Sequence, residues 1–126
     1  MARLLIVDDE ADLLALLVRR LTAAGHTVAA ADSAAAALAM VDRQGLPDAA
    51  ILDVDLPGDD GLALAAGLRD REPGLPIAFL TVLWSGAMRS RIEAVDALYV
   101  IKPVNDAALA DIVRQLLSRA GRAPLP

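Results

Sequence analysis

Cysteine is absent from this sequence of 126 residues, so disulfide bonds, thiolate nucleophiles and cysteine-based zinc sites are excluded. Aromatic residues make up only 2% of the chain, which leaves few of the stacking surfaces that single-stranded nucleic acids require. Positive charge is also scarce, because the formal net charge is −5 and the Lys and Arg residues are scattered. Such a charge disfavours a partner that presents a phosphate backbone. We therefore expect no direct nucleic-acid binding.

Long hydrophobic runs are missing as well. None approaches the roughly 18–20 apolar residues of a membrane helix, and the N-terminus lacks the charged, apolar and cleavage-site pattern of a secretory signal. These absences lead us to expect a cytoplasmic protein that does not bind membranes. The hydrophobic fraction of 56% in a chain of this length predicts one domain with a core of Ala, Leu, Val and Ile.

The sequence does contain a regular alternation of short apolar stretches and helical patterns. The apolar stretches are predicted strands: Leu4–Val7, Thr27–Ala31, Asp48–Asp53, Pro76–Thr81 and Leu98–Ile101. Helices are predicted over about Glu10–Ala24, from the N-cap candidate Ser33 to Gly45, and over Asp60–Arg71, Ala87–Val95 and Asn105–Arg119. Val54–Gly58 and Val82–Ser85 are predicted loops. This alternation predicts an α/β fold whose parallel sheet has right-handed crossovers and helices on both faces.

Polar side chains stand at the carboxyl ends of four predicted strands. Asp8 and Asp9 follow the first strand, Asp53 ends the third, Thr81 ends the fourth and Lys102 follows the fifth. In an open parallel sheet these strand ends lie along one edge, where such proteins bind ligands. Three carboxylates, a hydroxyl and an ammonium at that edge suggest a cation-dependent phosphoryl site.

Each of these residues, taken alone, also has an ordinary structural interpretation. The adjacent Asp8 and Asp9 carboxylates repel each other, which suits a divalent cation between them, but one of them could instead be the N-cap of the first helix. Asp53 can be a metal ligand or a nucleophile, or merely a solvated carboxylate at a strand end. Thr81 and Lys102 are individually weak signals, since threonine favours strands and lysine often ends them.

Taken in order, the four motifs resemble the receiver domain of two-component response regulators, the phosphoacceptor module paired with sensor histidine kinases. The matching stretches are Leu5–Glu10, Ile51–Gly58 with Gly61, Phe79–Thr81 and Tyr99–Pro103. The resemblance covers about Arg3 to Arg119, so we expect residues 1–119 to form the receiver domain and residues 120–126 a flexible tail or the start of a linker. It implies a CheY-like, flavodoxin-like fold, a doubly wound sheet of five parallel strands in the order 2-1-3-4-5 with five helices.

The resemblance also implies how the acidic residues act. Asp53 would accept the phosphoryl group and form an acyl phosphate. Asp8, Asp9, Asp53 and the backbone carbonyl of Asp55 would hold Mg²⁺. The physical chemistry agrees, because three carboxylates without a cation repel one another and Mg²⁺ would have to bind first.

The remaining implied roles concern the phosphoryl group and the response to it. Thr81 would hydrogen-bond that group, Lys102 would pair with Asp53 or its phosphate, and Tyr99 would be the switch aromatic that rotates inward. The partners would be a sensor histidine kinase or phosphotransfer protein on one side, and a downstream effector protein or fused output domain on the other. A homodimer formed on phosphorylation is an expectation by analogy. The domain would be regulatory rather than an enzyme, although it assists its own phosphotransfer and dephosphorylation.

The sequence departs from the family pattern in two places. Val82 stands where a very small residue usually follows the threonine, and Leu83 and Trp84 make this loop unusually apolar. The segment before the fifth strand reads Glu93–Ala97, where the family usually has Gly-Ala. Because these positions belong to the part that moves, we expect them to affect rates and switching more than the fold.

Two other functions compete with a phosphoacceptor. One is a phosphorylation-silent interaction module that keeps the receiver fold. The other is a haloacid-dehalogenase-like phosphatase, since Asp53-Val54-Asp55 mimics its Asp-x-Asp nucleophile motif. That family, however, begins with this motif and places its acidic pair late, whereas Asp8 and Asp9 come first here.

Overall fold

The computed structural model of the chain describes residues 2–56, 58–82 and 85–120. The strands in these residues are β1 (Arg3–Val7), β2 (Thr27–Ala31), β3 (Ala49–Asp53), β4 (Asp55–Leu56), β5 (Asp59–Asp60), β6 (Ile77–Thr81) and β7 (Leu98–Ile101). The helices are α1 (Ala11–Ala23), α2 (Ala34–Gln44), α3 (Gly61–Arg71), α4 (Gly86–Ala94) and α5 (Asp106–Ala120). No helix in this described part of the chain is both long enough and apolar enough to span a membrane.

The main sheet has five parallel strands in the order β2-β1-β3-β6-β7. This is the predicted order 2-1-3-4-5, because β4 and β5 pair only with each other, antiparallel, outside the main sheet. The predicted fold class is confirmed. The central position of β3 matters most for the site, since this strand hydrogen-bonds to β1 on one side and to β6 on the other.

The sheet separates two hydrophobic cores. Leu5, Val7, Leu52 and Phe79 face one core, which α2, α3 and α4 cover. The other core takes the alternate residues of the same strands, together with α1 and α5. Successive strand residues point to opposite faces, and both faces are buried here. The central strands therefore read as continuous apolar runs rather than as alternating patterns.

Side-chain caps begin four of the five helices. Ser33, Asp60, Ser85 and Asn105 each accept a hydrogen bond from the backbone N–H three residues later, at 2.7–3.1 Å. Such caps satisfy donors that have no partner within the helix. The caps at Ser33 and Asn105 confirm the predicted starts of α2 and α5. Helix α1 differs, because its cap residue is Glu10 and that side chain makes no capping hydrogen bond.

The structure differs from the sequence-based prediction in the loop after β3. The predicted loop Val54–Gly58 contains the strand β4. The sequence did not predict this strand, because two residues are too few to give a recognisable strand pattern. Ala120 is the last residue of α5, and the rest of the expected tail, residues 121–126, lies outside the described residues. Pro57, Leu83 and Trp84 of the two predicted loops also lie outside the described residues.

The unusual segment before β7 forms a tight turn. Asp96 has a φ of 52°, a left-handed conformation that glycine adopts more easily than other residues. The Arg69 guanidinium donates hydrogen bonds to the carbonyl oxygens of Val95 and Asp96, the latter at 2.9 Å. A third bond from Arg69 reaches the carbonyl of Leu75 at 3.1 Å. The end of α3 thereby anchors the turn that leads from α4 into β7.

Candidate functional site

The strand ends bring four of the predicted site residues to one edge of the main sheet. Asp8 follows β1, Asp53 ends β3, Thr81 ends β6 and Lys102 follows β7. Asp8, Asp53 and Thr81 are buried although they are polar, and Asp53 is only 5% exposed. Buried polar groups are costly unless they have partners. Their neighbours therefore decide what this edge can do.

Backbone amides fix one oxygen of each buried carboxylate. Oδ1 of Asp8 accepts a hydrogen bond from the Glu10 N–H at 2.8 Å, and Oδ1 of Asp53 accepts one from the Asp55 N–H at 3.1 Å. Asp8 is therefore not the N-cap of α1, because its side chain accepts a hydrogen bond from Glu10, which precedes the helix, and not from the first turn of the helix. Both arrangements leave Oδ2 turned toward the site.

Lys102 lies among these carboxylates. Its Nζ is 3.0 Å from Oδ2 of Asp8, 3.2 Å from Oδ2 of Asp53 and 2.9 Å from Oε1 of Glu10. The Lys102 side chain is 8% exposed. Its backbone N–H donates to the Thr81 carbonyl at 2.8 Å, and the following peptide bond to Pro103 is cis. The Lys102 backbone is thus held by its hydrogen bond to Thr81, and its ammonium is held by the three ion pairs.

The two buried acids are incompletely neutralised by this one ammonium. The pKa of Asp53 is raised to about 6, because burial and the nearby Asp8 charge, which raise it, outweigh the Asp55 N–H and Lys102, which lower it. Burial lowers the pKa of Lys102, but its hydrogen bond to Glu10 and the negative charges of Asp8 and Asp53 outweigh that effect and hold the pKa above the ordinary value. Oδ2 of Asp8 is buried and accepts no well-formed hydrogen bond within the described residues, although Nζ of Lys102 is near. The excess of negative charge in the site therefore favours binding of a further cation.

The carboxylates that converge are those of Asp8, Glu10 and Asp53. One oxygen from each lies within 4.8 Å of the others. Asp9 is exposed, and its carboxylate is not part of this group. Carboxylate oxygens are the donors that Mg²⁺ prefers in proteins, and the buried Asp8 Oδ2, which accepts no well-formed hydrogen bond within the described residues, fits a cation. The residues present therefore suit such an ion.

Glu10 is the site residue that sequence reasoning missed. Its position after Asp8-Asp9 reads as the beginning of α1, and its main partner is 92 residues away in sequence. The one available signal was the run of three consecutive acidic residues after a buried strand.

Close packing of α3 against β3 fixes the Asp53 backbone. The N–H of Gly61 donates to the Val54 carbonyl at 2.7 Å, and the N–H of Val54 donates to the Leu80 carbonyl at 3.0 Å. A Cβ atom at position 61 would lie only 2.1 Å from the Asp53 carbonyl oxygen. Only glycine allows this approach.

The remaining predicted residues lie further out. The Asp55 side chain is exposed, which leaves its backbone as the part turned to Asp53. Tyr99 is partly exposed on β7, where it pairs with Phe79. Val82, next to the buried Thr81, is 54% exposed.

Comparison with known proteins gives a consistent result. The family model described as "Response regulator receiver domain" matches residues 4–114. The chain is 39% identical to the transcriptional regulatory protein TcrA of Mycobacterium tuberculosis over 98% of its own length and 48% of that protein. It is 37% identical to the transcriptional regulatory protein PrrA of Mycobacterium bovis over 94% of its length and 51% of that protein. The chain thus spans about half the length of these curated relatives.

Solved structures agree with this match along nearly their whole length. The chemotaxis protein CheY4 of Vibrio cholerae has a TM-score of 0.86 and 28% identity, covering 93% of this chain and 99% of that one. A CheY-like receiver domain protein of Methanospirillum hungatei has a TM-score of 0.87 and 27% identity, covering 96% and 97%.

Proposed function

The chain belongs to the response regulator receiver domain family, and from that membership we propose that Asp53 accepts a phosphoryl group from a sensor histidine kinase or phosphotransfer protein. The observation that carries this proposal is the setting of Asp53. Its carboxylate is buried at the end of the central strand, with Oδ1 held by the Asp55 N–H and Oδ2 at 3.2 Å from Nζ of Lys102. The family match also favours this function over the phosphatase alternative.

Phosphoryl transfer needs an ionised carboxylate and a means of meeting the incoming charge. With a pKa of about 6, Asp53 is mostly ionised at neutral pH. Its oxygen would form a bond to phosphorus while the bond from phosphorus to the donor histidine nitrogen breaks, and the nitrogen keeps the electron pair. Lys102 would pair with the added charge, and the Thr81 hydroxyl would hydrogen-bond a phosphoryl oxygen.

We assign the metal site to Asp8, Asp9, Asp53 and the backbone carbonyl of Asp55. When bound, Mg²⁺ would supply positive charge to the phosphoryl oxygens. Asp8 and Asp53 would hold the ion through oxygens that the fold already directs into the site. Asp9 would have to turn inward from its exposed position. Support for a cation comes from the buried Asp8 Oδ2, which accepts no well-formed hydrogen bond within the described residues, and from the surplus of carboxylates.

The output would be a change of partner surface. Thr81 ends β6 and Tyr99 lies on the neighbouring β7, so a shift of Thr81 toward a phosphoryl group can be passed to this exposed edge strand. The recipient would be a downstream effector protein or a fused output domain, and a homodimer formed on phosphorylation would use the same principle. The relatives TcrA and PrrA are named transcriptional regulatory proteins, and this chain spans about half of each.

The decisive experiment is intact mass after incubation with acetyl phosphate, with and without Mg²⁺. We expect an Mg²⁺-dependent adduct of one phosphoryl group that Asp53→Asn abolishes. Asp55→Asn is the matched control, because it removes an exposed carboxylate two residues away and should leave the adduct in place. Absence of any adduct with several donors, and with Val82→Ala, would instead support the phosphorylation-silent interaction module.

A further inference from the structure

One ammonium occupies the space between three carboxylates in the site. The amino group of a lysine has three N–H donors, and Nζ of Lys102 has an oxygen of Asp8, Glu10 and Asp53 within 3.2 Å. A divalent cation bound to Asp8 and Asp53 would use the same oxygens. Because like charges repel at such separations, Lys102 has to give up part of its present contacts when that cation enters.

The three carboxylates differ in their freedom to follow the ammonium. Asp8 and Asp53 are buried, and a backbone N–H holds Oδ1 of each. The Glu10 side chain is 59% exposed and makes no capping hydrogen bond to α1. Only Glu10 of the three can therefore move outward with Lys102 and keep the ion pair.

We propose that Glu10 is a positioning residue for Lys102, which keeps the ammonium paired while a cation binds at Asp8 and Asp53, and so strengthens cation binding without being a ligand. The inference rests on the proposed function, since it concerns the Mg²⁺-dependent state of the same site. In the cation-free site Lys102 shares its charge among three partners. Once the cation takes Asp8, Glu10 becomes a larger part of what stabilises the ammonium. The pair thus favours the cation-bound state.

The test is a double-mutant cycle in Mg²⁺ affinity, measured by titration calorimetry on the full chain. We expect Glu10→Gln to weaken Mg²⁺ binding roughly two- to fivefold, the range that a partly exposed ion pair supports. In the Lys102→Met background the same substitution should have little effect, because the residue through which Glu10 acts is gone. Asp12→Asn is the matched control, since it removes one exposed negative charge two residues further along α1.

Three results would overturn the inference. Equal weakening in both backgrounds would make Glu10 a direct cation ligand, and an unchanged affinity in the wild-type background would give it no role. If Asp12→Asn weakened Mg²⁺ binding as much as Glu10→Gln does, the effect would come from the net charge of the region and not from the Glu10–Lys102 pair. In all three cases wild-type Mg²⁺ binding and phosphorylation persist. A wild-type chain that neither binds Mg²⁺ nor takes a phosphoryl group would contradict the proposed function itself.

The cycle also needs variants that fold. Thermal unfolding without Mg²⁺ checks each one, and Lys102→Gln replaces Lys102→Met if the methionine variant does not fold. With either replacement of Lys102, we expect Glu10→Gln to have little further effect on Mg²⁺ affinity.

Discussion

At the scale of single residues, the site carries more negative than positive charge in a place that water reaches poorly. Three carboxylates surround the Lys102 ammonium, and two of them, Asp8 and Asp53, are buried. The raised pKa of Asp53 expresses this imbalance, because burial and the Asp8 charge both oppose its ionisation. The fold therefore holds a buried carboxylate at the expense of some stability, which the cation and phosphoryl roles proposed above would explain.

Asp53→Asn should stabilise the cation-free protein at neutral pH. A carboxyl group whose pKa is raised from 3.8 to about 6 on folding binds protons more tightly in the folded state, so its contribution to stability falls as pH rises through that window. Above about pH 6 the ionised group costs roughly 1–3 kcal/mol, and asparagine removes that cost. Urea unfolding from pH 4 to pH 7.5 without Mg²⁺ should show the difference between variant and wild type widening with pH.

The control for this experiment is Asp55→Asn, which changes an exposed carboxylate in the same loop. A gain from Asp53→Asn that is constant over the whole pH range would show that the ionisation of Asp53 is not its cause.

Val82 is the residue-scale departure that we expect to affect rates. It follows Thr81 directly and carries an exposed branched side chain where the family usually has a very small one. Val82→Ala should speed either phosphorylation by acetyl phosphate or hydrolysis of the adduct, because it opens the approach to Asp53. An exposed substitution of this kind should change the free energy of unfolding by no more than about 0.5 kcal/mol. Two unchanged rates would contradict the crowding explanation.

At the scale of elements, the connection from β3 to α3 decides how accurately Asp53 is placed. The start of α3 packs directly on the last residue of β3, and the Gly61 N–H donates to the Val54 carbonyl. The Asp60 side chain caps the same helix and also pairs with Arg91 of α4 at 3.3 Å. Three elements are therefore joined within two residues of sequence, next to the site.

Gly61→Ala should destabilise the protein and displace the Asp53 backbone. The new Cβ atom would lie 2.1 Å from the Asp53 carbonyl oxygen, and neither backbone can yield without moving β3 or α3. Overpacking of this kind typically costs about 1–3 kcal/mol. We expect the free energy of unfolding to fall by an amount near the upper end of that range. Thermal unfolding and the phosphorylation assay should both show the defect.

Gly67→Ala provides the comparison within the same helix. Its Cβ atom would lie 3.4 Å from the end of the Leu38 side chain, an ordinary contact, and alanine is the better helix former. A gain of about 0.5–1 kcal/mol is expected. If both alanine variants behaved alike, helix propensity rather than contact with Asp53 would govern position 61.

The bounds of the helices and of the main-sheet strands were largely predictable from the sequence. Which side chains meet in the site was only partly predictable. Each main-sheet strand contains a run of at least four apolar residues, and caps such as Ser33 mark helix starts in the sequence itself. The β4–β5 pair was missed because two-residue strands have no period. Glu10 was missed because its partnership with Lys102 depends on a contact across the whole fold, which no local pattern contains. Strand order came from the family resemblance, since alternation alone leaves it open.

At the scale of the whole molecule, binding of a cation at the sheet edge should stabilise the entire fold. The ion would relieve repulsion between ends of adjacent strands, and these strands also support both hydrophobic cores. A ligand that binds only the folded state adds roughly 1.4 kcal/mol at a tenfold excess over its dissociation constant. Mg²⁺ should therefore raise the melting temperature, and EDTA should reverse the rise.

Asp8→Asn should remove most of that rise, while Asp12→Asn, which changes an exposed residue of α1, should keep it. The reference is the same protein in sodium chloride of equal ionic strength. An equal rise in wild type and Asp8→Asn would place the stabilising cation elsewhere on the molecule.

The ion pairs of Lys102 have a consequence for the chain during its synthesis and folding. They join residues at least 49 positions apart, so the ammonium reaches the acids only after β7 has been made and added to the sheet. Contacts of such sequence separation demand the largest loop closures during folding. A nascent chain, or one cut by a protease before β7, keeps every acid of the site and lacks the counter-charge. The phosphoacceptor proposed at Asp53 would therefore lack its ammonium partner until the last strand is in place.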